Sequence, residues 1–415
     1  MNTAGRGPKP SSVTRVTAGL VAALVVLGCW IALRARSPVN VQTEVVARAP
    51  GFDSVPPVGP SVAARSHHPG SPIGQLVSPR RSGGTGSDSA PPVSAPPDES
   101  NTNIYATQLI ASLTQFGPGN GITPQRAEEL KKSFKQLAAQ GAAAVPAIRE
   151  YLARFQDIDF DSVGAGKLVG YPSLRLGLMD VLGQIGGSEA TDLLLQTLQK
   201  TGDPQEIAML AKNLDKQLAP DQVRSAAVTA ASEVLAQTLS GKWDGRNVSS
   251  LFEVLQKYGD ENVVGLLEQS ATKWNYYATL ALAGLPDGTG VPALIRLAQD
   301  PALRSSGNGD IALRPLAQAA LQYPAARDAL VDQARLNQIP DNAWATVASS
   351  LAGHYIQYGN QIFGSTVPMI QWSDDQIRSR LALIDSVLAV TSNPAGRQAL
   401  LNAQATISTI AEQRK

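Results

Sequence analysis

Leu174-Arg175-Leu176-Gly177-Leu178-Met179-Asp180-Val181-Leu182-Gly183-Gln184-Ile185, followed by Gly186-Gly187 and then Ser188 to Lys200, is the stretch whose reading decides the fold. Leu174, Leu178, Val181, Leu182 and Ile185 fall on one face when wound at 3.6 residues per turn, so an amphipathic helix is predicted there. The glycine pair stops it, because glycine accepts the left-handed backbone that ends helices. Ser188 is then read as the cap of a second helix, Glu189 to Lys200, with Leu194, Leu195 and Leu198 on its apolar face.

The same punctuation extends in both directions. Thr123-Pro124 places a cap before a first-turn proline, and Asp203-Pro204 opens a helix whose stripe is Ile207, Leu210, Leu214 and Leu218. Comparable starts stand at Pro220-Asp221, Asp260, Thr289, Pro324, Pro340-Asp341, Asp374 and Asn393-Pro394, and no alternating β-branched run lies between them. The expectation is an all-α domain over 103–415, of about a dozen helices joined by short loops.

Internal similarity then appears. Leu194-Leu195 comes twelve residues after Leu182, and 100 residues further on Leu282-Ala283-Gly284 is followed at the same distance by Leu294-Ile295. Val145-Pro146-Ala147-Ile148-Arg149 is echoed by Val291-Pro292-Ala293-Leu294-Ile295-Arg296. These strings resemble the HEAT-repeat (armadillo-like) family, over roughly Gly141 to Asp300. The resemblance implies an α-solenoid of antiparallel helix pairs, each burying its apolar stripe against its neighbours.

The N-terminal part reads differently. After a short basic tail, 1–15, an uncharged run of 18 residues extends from Val16 to Leu33. As a helix it would be roughly 27 Å long, enough for a bilayer core. Three readings stand. The first is a transmembrane signal anchor over 16–34. The second is a lipoprotein signal, since Val26-Leu27-Gly28-Cys29 resembles a lipobox acylated at Cys29. The third is a cleaved secretory signal. The first is favoured because the apolar run continues through Trp30-Ile31-Ala32-Leu33. Arginines flank the run on both sides, so charge asymmetry hardly orients it; an extracytoplasmic main domain is the working expectation. Residues 35–102 are expected to be a disordered linker. Of the 64 residues in 37–100, 30 are Pro, Gly or Ser, too few of the rest being apolar to offset the ordering entropy.

Charge and cysteine content narrow the function classes. Residues 104–415 carry 26 Lys and Arg against 29 Asp and Glu. A slightly acidic domain is not expected to bind nucleic acid, which needs a basic face. With Cys29 the one cysteine, neither an internal disulfide nor a cysteine-ligated zinc site can form. No cofactor is expected.

Few constellations carry chemistry. Asp157, Asp159 and Asp161 have the 1, 3, 5 spacing of a calcium loop, making them a weak metal candidate, but Ser162 and Leu168 replace the required glycine and glutamate. Gly164-Ala165-Gly166-Lys167 lacks the first glycine and the final hydroxyl residue of a phosphate loop. His354 is the one histidine of the folded part, too little for a catalytic group. The remaining signal is aromatic. Trp274, Tyr277, Tyr355 and Tyr358 are the candidate binding residues, as partly exposed aromatics in a groove between Trp274 and Trp372.

The functional expectation is therefore a membrane-anchored scaffold or adaptor without catalysis, binding a protein or peptide on the helical surface. Two alternatives stay open. One is a HEAT-like enzyme of the bilin lyase or DNA glycosylase type, the other a purely structural envelope element.

Overall fold

Capping residues and proline positions fix where the chain turns into helix, and a computed structural model shows the outcome for residues 99–115, 122–243, 248–303, 311–354, 358, 362–363 and 371–413, with side chains described from 104. The described residues are helical, with no strand among them and one isolated antiparallel bridge between Asp159 and Ser173. The first half contains α1 (Glu99–Thr114), α2 (Pro124–Ala139), α3 (Val145–Ala153), the single turn α4 (Gly166–Val169), α5 (Leu174–Ile185), α6 (Gly187–Leu198), α7 (Pro204–Leu214) and α8 (Pro220–Leu239). The second half adds α9 (Ser249–Tyr258), α10 (Glu261–Gly284), α11 (Val291–Gln299), α12 (Pro301–Leu303), α13 (Leu313–Ala319), α14 (Pro324–Arg335), α15 (Trp344–Leu351), α16 (Asp374–Val390) and α17 (Pro394–Gln413). The all-α expectation holds. Among the described residues the count is 17 rather than a dozen, partly because single turns such as α4 and α12 carry no periodic stripe to read.

Several caps act as their residue types dictate. Thr123 accepts from the Arg126 amide at 3.3 Å, Asp203 from Gln205 and Glu206 at 2.8 and 3.0 Å, and Asp260 from Asn262 at 2.9 Å. Ser373 and Gln376 form a reciprocal capping box at the start of α16. Ser188 does not cap α6. Gly186 closes α5 and opens α6 at once, and α6 begins at Gly187, so the turn is shorter than expected and Ser188 lies inside the helix.

The repeated strings become equivalent elements. Val145-Pro146 and Val291-Pro292 each begin a nine-residue helix, α3 and α11, with proline in the first turn where its missing N–H leaves no bond unmade. Leu182, Leu194, Leu282 and Leu294 are all completely buried. Each such leucine contributes about 2 kcal/mol by leaving water.

Packing is local along the chain. Substantial contacts join helices no more than three apart in order. They run in two interleaved series, α2–α5–α7–α9 and α3–α6–α8, with α13–α15–α17 and α11–α14–α16 continuing the pattern later. Consecutive helices connect the two series, and one hydrophobic cluster extends from Ala106 to Ile407.

Among the described residues no helix is long and apolar enough to cross a membrane. The run Val16 to Leu33, Cys29 and residues 35–98 lie outside the described residues. Helix α1 begins at Glu99, so the last four residues assigned to the linker, 99–102, are helical instead.

Candidate functional site

Three of the four aromatic candidates come together, close to a break in α10. Trp274 has φ −130° and ψ 57°, so the helix is interrupted at that residue and resumes beyond it. Phe252 of α9, fully buried, lies 6.2 Å from the Trp274 ring and 5.8 Å from Tyr277. Tyr277 stacks on Tyr358 at 6.1 Å, and Lys273 Nζ sits 4.5 Å from the Trp274 ring centroid. Rings at these separations attract beyond their area burial.

The cluster is largely interior. Trp274 and Tyr277 are half-buried, whereas Tyr358 is 5% exposed and donates its hydroxyl to Gln256 Oε1 at 2.8 Å. Tyr358 is thus a packed residue and not the exposed aromatic expected; burial pushes its hydroxyl well above the usual tyrosine range. Tyr355 lies outside the described residues. Trp372 is 1% exposed, with the Arg380 guanidinium 3.9 Å from its ring, so it does not wall an open groove.

A polar latch fastens Ile362 and Phe363 to α9. The Glu253 carboxylate accepts the amides of Ile362 and Phe363 at 2.7 and 2.6 Å through Oε1, while Oε2 is buried without a partner. Burial raises this carboxyl above its ordinary range, against the two amides, which lower it.

The aspartate triplet does other work. Asp157 Oδ1 accepts from the amides of Ile158 and Arg175, and Asp159 Oδ1 from Ser162. Asp161 Oδ1 occupies the space that a Cβ on Gly166 would need. These carboxylates close the loop before α5, and among the described residues no group of three or more His, Cys, Asp or Glu side chains gathers as metal ligands would.

A further opening involves none of the four aromatic candidates. A cleft of about 1010 Å³ lies between α6 and α8. Its origin is compositional: Ser225, Ala226, Thr229 and Ala230 recur at i, i+4 spacing on the α8 face that meets the cleft. These small side chains line the cleft together with Leu195 and Leu198 of α6. Asp192, Asp221 and Glu233 line it with Lys200, so the cleft is net acidic. The small-residue run in α8 was the available signal, but its facing partner was not visible in the sequence.

No family model and no curated protein match the chain. A solved chain described as "Computational Design of Self-Assembling Cyclic Protein Homooligomers" aligns at 12% identity, covering 76% of this chain and 94% of that one. Its TM-score is 0.14.

Proposed function

We propose that this protein is a membrane-held helical-repeat adaptor whose α6–α8 cleft takes a helical segment of a protein partner. The observation that carries the reading is the cleft itself: about 1010 Å³, net acidic, and walled by small residues on one side. A helix laid against Ala226 and Ala230 could approach closely, and its basic side chains would meet Asp221 and Glu233. Substantial helix contacts confined to elements at most three apart in order support an α-solenoid of the HEAT type as the frame. The uncharged run from Val16 to Leu33 would hold this frame at the membrane, with 35–98 as tether.

The test is capture of partners from detergent-solubilised membranes by the full-length chain and by a cleft-filling variant, Ala226→Trp with Ala230→Trp. The expected result is a discrete set of bound proteins, released by salt and lost in the variant, while Lys257→Gln on α9 retains it. An unchanged set in the variant removes the cleft from the interaction and ends this reading.

A further inference from the structure

A second, smaller cavity of about 300 Å³ opens where the end of α3 meets α6, sharing Lys200 and Thr201 with the cleft. Leu152 and Leu193 supply apolar wall, and its charged lining is Arg149, Arg175 and Lys200, with no acidic residue. Arg175 is committed: Nε and Nη2 donate to Glu206 at 2.5 and 3.1 Å, and Nη1 to the Leu152 carbonyl at 2.9 Å. Arg149 and Lys200 are exposed and have no carboxylate partner among the described residues. Two uncommitted cations beside an apolar wall favour an anionic ligand with an apolar part.

Phe155 at the same cavity supplies an independent observation. It is 72% exposed, with φ 51°, directly after the C-cap residue of α3. That left-handed position after a helix belongs to glycine, or less often asparagine. This chain follows the rule elsewhere, with Gly141 after α2, Gly241 after α8, Gly353 after α15 and Asn337 after α14. An aromatic residue there accepts backbone strain, and its exposed ring gains little in return beyond the Arg175 guanidinium 6.0 Å from its centroid. Residues kept against local stability mark contacts made with something else.

We propose that this cavity binds an acidic peptide segment, whose central apolar side chain packs on Phe155 and Leu193 while its carboxylates pair with Arg149 and Lys200. The site adjoins the cleft, sharing Lys200 and Thr201 with it, but does not depend on the adaptor reading of it.

The test uses the full-length chain and a fluorescent, end-capped pentapeptide, Asp-Glu-Phe-Asp-Glu, followed by anisotropy. Binding is expected to weaken as salt rises. The Asn-Gln-Phe-Asn-Gln peptide should bind at least tenfold more weakly, and the Arg149→Gln, Lys200→Gln double variant should lose a similar factor. Phe155→Gly should weaken binding yet raise the melting midpoint, because glycine relieves the left-handed backbone. A packing role for Phe155 predicts the opposite shift, a lower midpoint, and that result overturns the proposal. So does equal binding of the two peptides, or no binding of the acidic peptide. Ala230→Trp should leave peptide binding unchanged; loss in that variant would move the peptide into the cleft and refute the assignment.

Discussion

Arg175 and Glu206 join α5 to α7 by a two-pronged ion pair inside the core, with side chains 7% and 8% exposed. Thr201 adds a hydroxyl to Glu206 Oε2 at 2.6 Å. Removing one member strands the other as a buried charge, so Glu206→Ala or Arg175→Ala should each destabilise by about 3–5 kcal/mol. Replacing both together, Arg175→Met with Glu206→Leu, should cost far less than the sum of the single changes. Urea denaturation of the four proteins checks this, and additive costs would deny the coupling.

Gly353 and Gly141 separate backbone strain from crowding. Both have positive φ, 94° and 60°. A Cβ at Gly353 would stand 1.9 Å from the Trp372 ring, whereas nothing lies within 4 Å of one at Gly141. Gly141→Ala should therefore cost about 1–2 kcal/mol from conformation alone. Gly353→Ala should add an overpacking cost of about 1–3 kcal/mol. Thermal melts of both variants would show the difference, and equal midpoints would contradict the packing around Trp372.

Within the aromatic cluster, Tyr358 and Trp274 should behave unequally. Tyr358→Ala empties a buried ring position and should cost about 3–5 kcal/mol. Tyr358→Phe loses one hydrogen bond to Gln256, about 1 kcal/mol. Trp274 is half-buried, so Trp274→Ala should cost less than Tyr358→Ala. The order of the melting midpoints decides; a larger loss at Trp274 would mean that the kink itself depends on its indole.

Glu253 makes a pH prediction. Its carboxyl is raised above 4.5 in the folded state, so the fold favours the protonated form. The stabilisation belonging to that form is complete below 4.5 and disappears as pH rises through the raised value. Glu253→Gln stays uncharged and can still accept the Ile362 and Phe363 amides. The difference in stability between variant and wild type should therefore grow in favour of the variant as pH climbs from 4.5. Chemical denaturation at a series of pH values measures it, and a pH-independent difference would show that Glu253 titrates alike in folded and unfolded chains.

Helix starts were legible because their causes are short-range. Asp203 needs only the amides of Gln205 and Glu206, two and three residues away, to cap α7. The buried leucines at 182, 194, 282 and 294 follow from a stripe repeated every three or four residues. Ser188 does not cap because Gly186 closes α5 and opens α6 at once, which leaves no residue between the helices for a separate cap.

By itself, then, the sequence determined the helical class, most capped boundaries and the faces that turn inward, since each rests on residues within one or two helical turns. Tertiary structure alone decided the rest. Small residues of α8 share the cleft with residues of α6, rings from separate segments meet near the Trp274 break, and Glu253 finds its amides 109 and 110 residues away. Phe155 is conspicuous only once its backbone is seen to be left-handed and its ring exposed. Such features depend on distant partners in three dimensions, and a local pattern of hydrophobicity carries no information about which partner arrives.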